Sequence, residues 1–172
     1  MTLSSYLYGP RTGFGILVAA LTAAADQALK LWLLYGFDLP SRAPVHLGPF
    51  FDVVLAWNTG ISYGLFPQAG PLGQWALLGV KLAVVLLLWI WLARVGSRFT
   101  ALALGLIIGG AVGNAIDRVA YGAVVDFALF HVTTPRWTFN WYVFNLADTG
   151  IVAGVIGLLY ESVLKKDAVK AP

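Results

Sequence analysis

Long apolar runs, broken at wide intervals by isolated charged and amide side chains, dominate this chain. A membrane-crossing helix needs roughly 20 mostly apolar residues. Four stretches supply them, at about 13–35, 72–93, 99–118 and 142–163. The first runs from Gly13 through Ala20 to Leu34 and carries Asp26 and Lys30 in its second half. The second is the most lipophilic, with Leu82-Ala83-Val84-Val85-Leu86-Leu87-Leu88-Trp89 at its centre. The third holds Gly105, Gly109, Gly110, Ala111 and Gly113, small residues that let helices approach closely in lipid. Gly150, Gly154 and Gly157 repeat that theme in the fourth. Between the first two spans, the outer loop 36–71 opens with turn-formers and then reads Phe50-Phe51-Asp52-Val53-Val54-Leu55-Ala56-Trp57, a β-prone composition that predicts a small sheet or extended pieces at the interface. The second outer loop, 119–141, carries Phe127, Phe130, Trp137, Phe139 and Trp141 and reads as interfacial and partly helical. Neither a repeat nor a linker interrupts the pattern, so residues 1–172 are read as one domain.

Composition strengthens the membrane reading. The chain is 59% hydrophobic and 11% charged, against about a quarter charged in an ordinary soluble domain. Its seven Trp and seven Tyr suit the membrane–water boundary, where amphipathic rings collect. The net charge of +3 comes from scattered basic residues, which argues against a nucleic-acid partner. With no cysteine, disulfides, thiol catalysis and thiolate metal sites are excluded. Arg11, Arg94, Arg98, Lys165, Lys166 and Lys170 fall on one side of the spans, and Arg42, Arg118 and Arg136 on the other. That bias predicts both termini in the cytoplasm and both long loops outside. Ala23-Ala24-Ala25 imitates a secretory cleavage site, but the apolar pattern continues through Leu29 to Tyr35, so a retained helix is expected.

Ionisable groups inside spans cost at least ~2.5–3.5 kcal/mol each at the helix centre, so each one asks for a reason. Asp26 and Lys30 stand four apart on one helix face, as a self-neutralising ion pair or as part of a site. Asn114, Asp117 and Arg118 sit at the outer end of the third span, where Arg118 can snorkel and Asp117 pair with it. Lys81 lies deep in the second span and either snorkels or pairs with an acid in the bundle; the pattern gives it no function. Asp126 is held in apolar surroundings, in Val124-Val125-Asp126-Phe127. Asp148 lies three residues after Asn145, the spacing of a capping box, and an acid in the first helical turn also suits the helix dipole.

Taken singly, either acid reads as structural. Topology, however, brings the outer ends of the third and fourth spans to one depth. Two carboxylates that meet in a partly dry site cannot both ionise easily, so one keeps a proton while the other accepts one, and a water between them is activated without a metal. Other chemistries lack their parts: His46 and His131 read as isolated, no serine has a nearby base, and no phosphate-cradling glycine loop carries a lysine. Two rivals remain. A transporter or channel subunit would use Asp26, Lys30 and Asp117 as an ion relay, but its acids should spread across the membrane. A magnesium-dependent lipid or phosphate enzyme would use closely spaced acids as ligands.

The polar blocks, in their order, resemble the bacterial lipoprotein signal peptidase family (signal peptidase II). They are Asp26-Gln27-Ala28-Leu29-Lys30, Asn58-Thr59-Gly60-Ile61-Ser62-Tyr63-Gly64-Leu65-Phe66, Gly109-Gly110-Ala111-Val112-Gly113-Asn114-Ala115-Ile116-Asp117-Arg118, Gly122-Ala123-Val124-Val125-Asp126-Phe127 and Phe144-Asn145-Leu146-Ala147-Asp148. Each block alone is weak; the ordered set is specific. The resemblance implies an all-α membrane fold: a four-transmembrane-helix bundle with a small extracytoplasmic β-cradle and a short interfacial helix. It implies an aspartic endopeptidase of the bacterial inner membrane that needs no metal or cofactor and works as a monomer among membrane lipids. Its substrates would be diacylglyceryl-modified prolipoproteins, cut just before the lipidated cysteine. Asp126 and Asp148 fall on the family's catalytic pair. Asn58, Gly60, Asn114, Asp117, Arg118, Asn145 and Ala147, with Asp26 and Lys30 of the first block, fall on its substrate-binding or dyad-supporting positions. Ile61-Ser62-Tyr63 is bulkier than the small version expected of the family, and the segment from His131 to Tyr142 is long and aromatic.

Overall fold

The computed structural model describes residues 7–60 and 71–170. Ile61-Ser62-Tyr63 and the rest of that block to Phe66 lie outside the described residues. Four long helices carry the apolar runs: α1 (Thr12–Leu31), α3 (Pro71–Leu92), α4 (Arg98–Tyr121) and α5 (Leu146–Lys170). A π-helical turn (Trp32–Gly36) extends α1, and a four-residue helix α2 (Leu39–Arg42) follows it. Among the described residues, Thr12–Gly36, Arg98–Tyr121 and Leu146–Val163 are long and apolar enough to cross a membrane, and Leu78–Leu92 is a shorter apolar helix. Leu17, Leu21, Leu86, Leu87, Ile156 and Leu159 point outward, exposed. That arrangement is wrong for water and right for lipid, where outward-facing Leu and Ile meet hydrocarbon.

The central helix is α4, which packs against α1, α3 and α5. Its glycines explain how it packs so closely. A Cβ on Gly109 would stand 2.5 Å from the Ala19 carbonyl oxygen of α1, and one on Gly110 would collide with the Ala147 carbonyl oxygen of α5. Backbone atoms cannot swing away as a side chain can, so the helices themselves would have to separate. Gly110→Ala should therefore cost about 1–3 kcal/mol, the usual range for overpacking. Reversible unfolding in mixed detergent micelles would measure it, and a loss below a few tenths would mean that α4 and α5 shift apart freely. At its N-terminus α4 is capped by Ser97, whose hydroxyl accepts a hydrogen bond from Thr100 N at 3.2 Å. At its C-terminus Gly122 takes a left-handed conformation (φ 73°) that turns the chain into the next strand.

A four-stranded antiparallel sheet, ordered β1 (Val45–His46), β2 (Phe51–Asn58), β3 (Val124–Thr133) and β4 (Thr138–Asn140), joins the two long loops. The β-prone run from Phe50 to Trp57 thus forms strand β2 as expected. The 119–141 stretch does not become partly helical: α4 ends at Tyr121 and the rest is largely strand. The reason lies in Val124, Val125, Phe127, Phe130, Val132 and Thr133, branched and aromatic side chains that fit a pleated surface better than a helix. Among the described residues of the first loop, the four-residue α2 is helical. Leu33, Leu39, Phe127 and Ala128 form a buried cluster, flanked by Phe37, Val45, Phe51 and Phe144, that fastens the sheet to the end of α1.

Candidate active site

Strand β3 delivers Asp126, and the start of α5 delivers Asp148. One short backbone link sets their relation. Phe144 bridges to Ala128 of β3, its N donating to Ala128 O at 3.0 Å and its O accepting from Ala128 N at 2.8 Å. The chain then enters α5 immediately at Asn145. Asp148 N donates to Asn145 Oδ1 at 2.9 Å, and Asn145 N donates to Asp148 Oδ2 at 3.3 Å. This is the reciprocal capping box foreseen from the spacing. It leaves the Asn145 amide nitrogen free to turn to other partners.

That nitrogen reaches Asp126 Oδ1 at 2.6 Å and Asn114 Oδ1 at 3.0 Å. Asn114 in turn donates from Nδ2 to Asp148 Oδ1 at 2.8 Å. Two carboxamides therefore connect the two carboxylates and fix their separation. Asn58 of β2 donates to the other Asp126 oxygen at 3.1 Å and is itself held by Gly60 N at 3.0 Å. Arg118 Nη2 donates to the Gly60 carbonyl, so Arg118 turns inward and does not snorkel.

Behind these groups lies a second, fully buried layer. Lys30 Nζ lies 2.7 Å from both Asp26 Oδ2 and Asp117 Oδ2, and 3.2 Å from Asn114 Oδ1. Asp117 thus pairs with Lys30 of α1, not with its neighbour Arg118 in the chain; residues adjacent on a helix point about 100° apart. Asp117 also accepts from Val125 N at 3.0 Å, tying α4 to the strand just before Asp126. Asp26 Oδ1 accepts from Ala147 N at 2.9 Å, one of the donors that a helix N-terminus leaves unsatisfied. Ala147 accordingly contributes its backbone and a small side chain; it is fully buried.

Every candidate from the sequence that falls on described residues is therefore in this one network or in contact with it. Gln27 was missed: it donates to Asp117 Oδ1 at 2.8 Å and to Gly113 O at 3.1 Å. Its signal was available, since an amide inside an apolar span needs partners as a charge does. The two histidines require a correction. They are not isolated: His46 Nδ1 lies 2.8 Å and His131 Nε2 3.2 Å from the two oxygens of Asp52. Strands β1, β2 and β3 bring them together, and the His46 hydrogen bond, against burial and with help from His131, holds the Asp52 carboxyl below the usual carboxylate range.

The carboxylates open onto a cavity of about 320 Å³ bounded by α3, α4, α5 and β3. Asn58, Lys81, Asn114, Arg118, Asp126 and Asp148 bring polar groups to its lining, and Val84, Ile107, Ile151 and Val152 bring apolar ones. Burial, and then the neighbouring Asp148 charge, push the Asp126 carboxyl up to about 7, although hydrogen bonds from Asn58 and Asn145 pull it down. A carboxyl raised that far can hold a proton near neutral pH, where an ordinary carboxylate has lost it.

A family model described as signal peptidase (SPase) II matches residues 18–164. A lipoprotein signal peptidase of Rhodopseudomonas palustris strain TIE-1 is 59% identical over 158 residues, covering 92% of this chain and 96% of its own. One from Nitrobacter hamburgensis is 60% identical over the same shares, and one from Methylorubrum extorquens is 54% identical over 92% of this chain and 89% of its own. Two solved bacterial membrane enzymes, both determined in meso, superpose with TM-scores of 0.74 and 0.69 at 25% identity. They cover 92% and 87% of this chain, and 92% of each solved chain.

Proposed function

From the premise that this chain belongs to the signal peptidase II family, and is therefore a membrane peptidase that processes lipoprotein signal peptides, we propose that Asp126 and Asp148 are its catalytic pair. The observation that carries this reading is the carboxamide link. Asn145 and Asn114 hold the two acids in fixed register on one cavity, where Asp126 is pushed up to about 7. A water seated between the acids gives a proton to the ionised carboxylate as its oxygen attacks the scissile carbonyl, and the protonated carboxyl donates to the carbonyl oxygen. When the intermediate collapses the C–N bond breaks, and a proton from the pair passes to the leaving amine. The starting proton belongs to the pair and not to one residue.

The substrate is a diacylglyceryl-modified prolipoprotein, and cleavage falls just before its lipidated cysteine. A substrate anchored in lipid cannot leave the bilayer, which suits a cavity lined both by the acids and by Val84, Ile107, Ile151 and Val152. Asn58, Gly60, Asn114, Arg118 and Asn145 hold the pair and the peptide, while Asp26, Lys30, Asp117 and the Ala147 backbone hold those residues in turn. The chain forms one domain and crosses the bacterial inner membrane four times, with α3 as the second span. Both termini are cytoplasmic, and the sheet and acids lie toward the outer face, as the basic residues at the span ends support. It acts as a monomer surrounded by lipid.

Purified protein incubated with a diacylglyceryl-modified prolipoprotein should cleave it fully in the presence of a chelator and leave the unlipidated precursor intact. The rate should follow a bell in pH, falling on the acid side as both acids protonate and on the alkaline side as both ionise. Loss of activity on chelation, restored by a divalent ion, would replace the two-acid reading with a metal one.

A further inference from the structure

Lys81 occupies the middle of α3, the eleventh residue of Pro71–Leu92, and lines the same cavity as Asp126 and Asp148. Among the described residues its Nζ has no hydrogen-bond or ion-pair partner, and the Val80 and Val84 beside it on the cavity wall are apolar. A charge in the middle of a span is costly wherever it is not compensated. The other charges that act on it are Arg118 of α4, Asp148 of α5, Asp126 of β3 and Lys30 of α1. Asp26 and Asp117 complete the set through their contacts with Lys30. The balance of these groups is informative. With one proton on the catalytic pair, the negative charges are Asp26, Asp117 and one carboxylate of the pair. The cations are Lys30, Arg118 and Lys81. The cluster is neutral in its singly ionised form only when Lys81 is counted.

We propose that Lys81 is a positioning residue that acts through the catalytic pair: its ammonium across the cavity is the counter-charge that favours the singly ionised state. The inference rests on the two-acid reading above. A cation favours the ionised form of a nearby acid, and its field is weakly screened where lipid and apolar side chains replace water. Removing it makes both ionisations of the pair harder, so the whole activity window moves to higher pH.

The test is the pH–rate profile of kcat/KM for wild type, Lys81→Met and Lys81→Arg on the diacylglyceryl-modified substrate, with Asp126→Asn beside them. In Lys81→Met the acid limb should move up by about one pH unit, the order of magnitude for losing one unit charge in a weakly screened site. Cleavage at a pH on that limb then falls about tenfold, and the alkaline limb moves the same way. Lys81→Arg keeps the charge and should keep the wild-type limbs. A purely structural role would lower the whole profile without moving it, and that result overturns the proposal. So does a limb displaced as far by Arg as by Met. If Lys81→Met fails to accumulate, Lys81→Gln gives the same readout with a polar, neutral side chain. An active Asp126→Asn would remove the two-acid premise itself. An inactive Asp126→Asn beside an unmoved Lys81→Met profile removes only the role of Lys81.

Discussion

Asp126→Asn and Asp148→Asn should each lower the cleavage rate by at least about 10³-fold, within the span that a positioned acid–base group contributes. On the two-acid reading, either change removes one of the two sites for the shared proton, so the remaining acid cannot serve as both donor and acceptor. The substitutions differ in what else they disturb. Asp126 accepts from Asn145 at one oxygen and Asn58 at the other, both through amide N–H groups. An asparagine there must aim its own amide hydrogens at one of those donors. Asp148 also accepts at both oxygens, from the Asn114 side chain and from the Asn145 backbone N, so its asparagine loses the capping box or the link to Asn114. Folding must therefore be followed together with activity, and a pH-dependent stability measurement separates the two. Because the folded Asp126 carboxyl is pushed up to about 7 from an ordinary 3.8, it favours the folded state fully below about pH 4, and that contribution is lost as pH rises through 7. The Asn variant has no such loss. Its stability relative to wild type should improve between about pH 4 and pH 7 and level off above that. Cleavage within about tenfold of wild type by either folded variant would dismiss the pair.

The structure also shows which of these relations a linear pattern can carry. Apolar run length placed the ends of the long helices to within about five residues, because the requirement for about 20 apolar residues is local, except that α5 runs on past 163 to Lys170. It placed the start of the fourth span at 142, four residues before α5 begins at Leu146. Tyr142, Val143 and Phe144 are as apolar as a helix would want, but Phe144 is hydrogen-bonded to β3 and Asn145 caps the helix behind it. Short apolar runs do not reveal which of these they will do. The capping box was legible because its partners are three residues apart. The link from Lys30 to Asp117 spans 87 positions and the one from Ala147 to Asp26 spans 121. Only packing creates those contacts, so composition alone could equally give an isolated Asp26–Lys30 pair. The histidines failed for the same reason: residues 46 and 131 meet through antiparallel strand pairing, which a single sequence does not display.

Lys30→Met should be the most destabilising single change in the bundle, costing about 3–5 kcal/mol, the range for removing one partner of a buried ion pair. Lys30 is 1% exposed, and Asp26 and Asp117 are fully buried. Its ammonium is the shared partner of both, at 2.7 Å from each. Methionine replaces the stem closely but leaves two carboxylates facing each other with no cation between them. Gln27 and the Val125 and Ala147 backbone amides still donate to them, but hydrogen bonds do not neutralise like charge in a low dielectric. The predicted pattern in a mutant cycle is distinctive. Adding Asp117→Asn to Lys30→Met should recover a large part of the loss, although Asp117→Asn alone is destabilising, because the double variant removes the facing like charge and returns the layer to its original net charge of one negative. Equilibrium unfolding in detergent or bilayer would measure each corner. A cost below about 1 kcal/mol for Lys30→Met, or simple additivity with Asp117→Asn, would show that the inner layer is not coupled in this way. Activity should fall further than stability alone explains. Lys30 holds Asp26, Asp26 holds the first turn of α5 through Ala147 N, and that turn sets where Asp148 stands relative to Asp126.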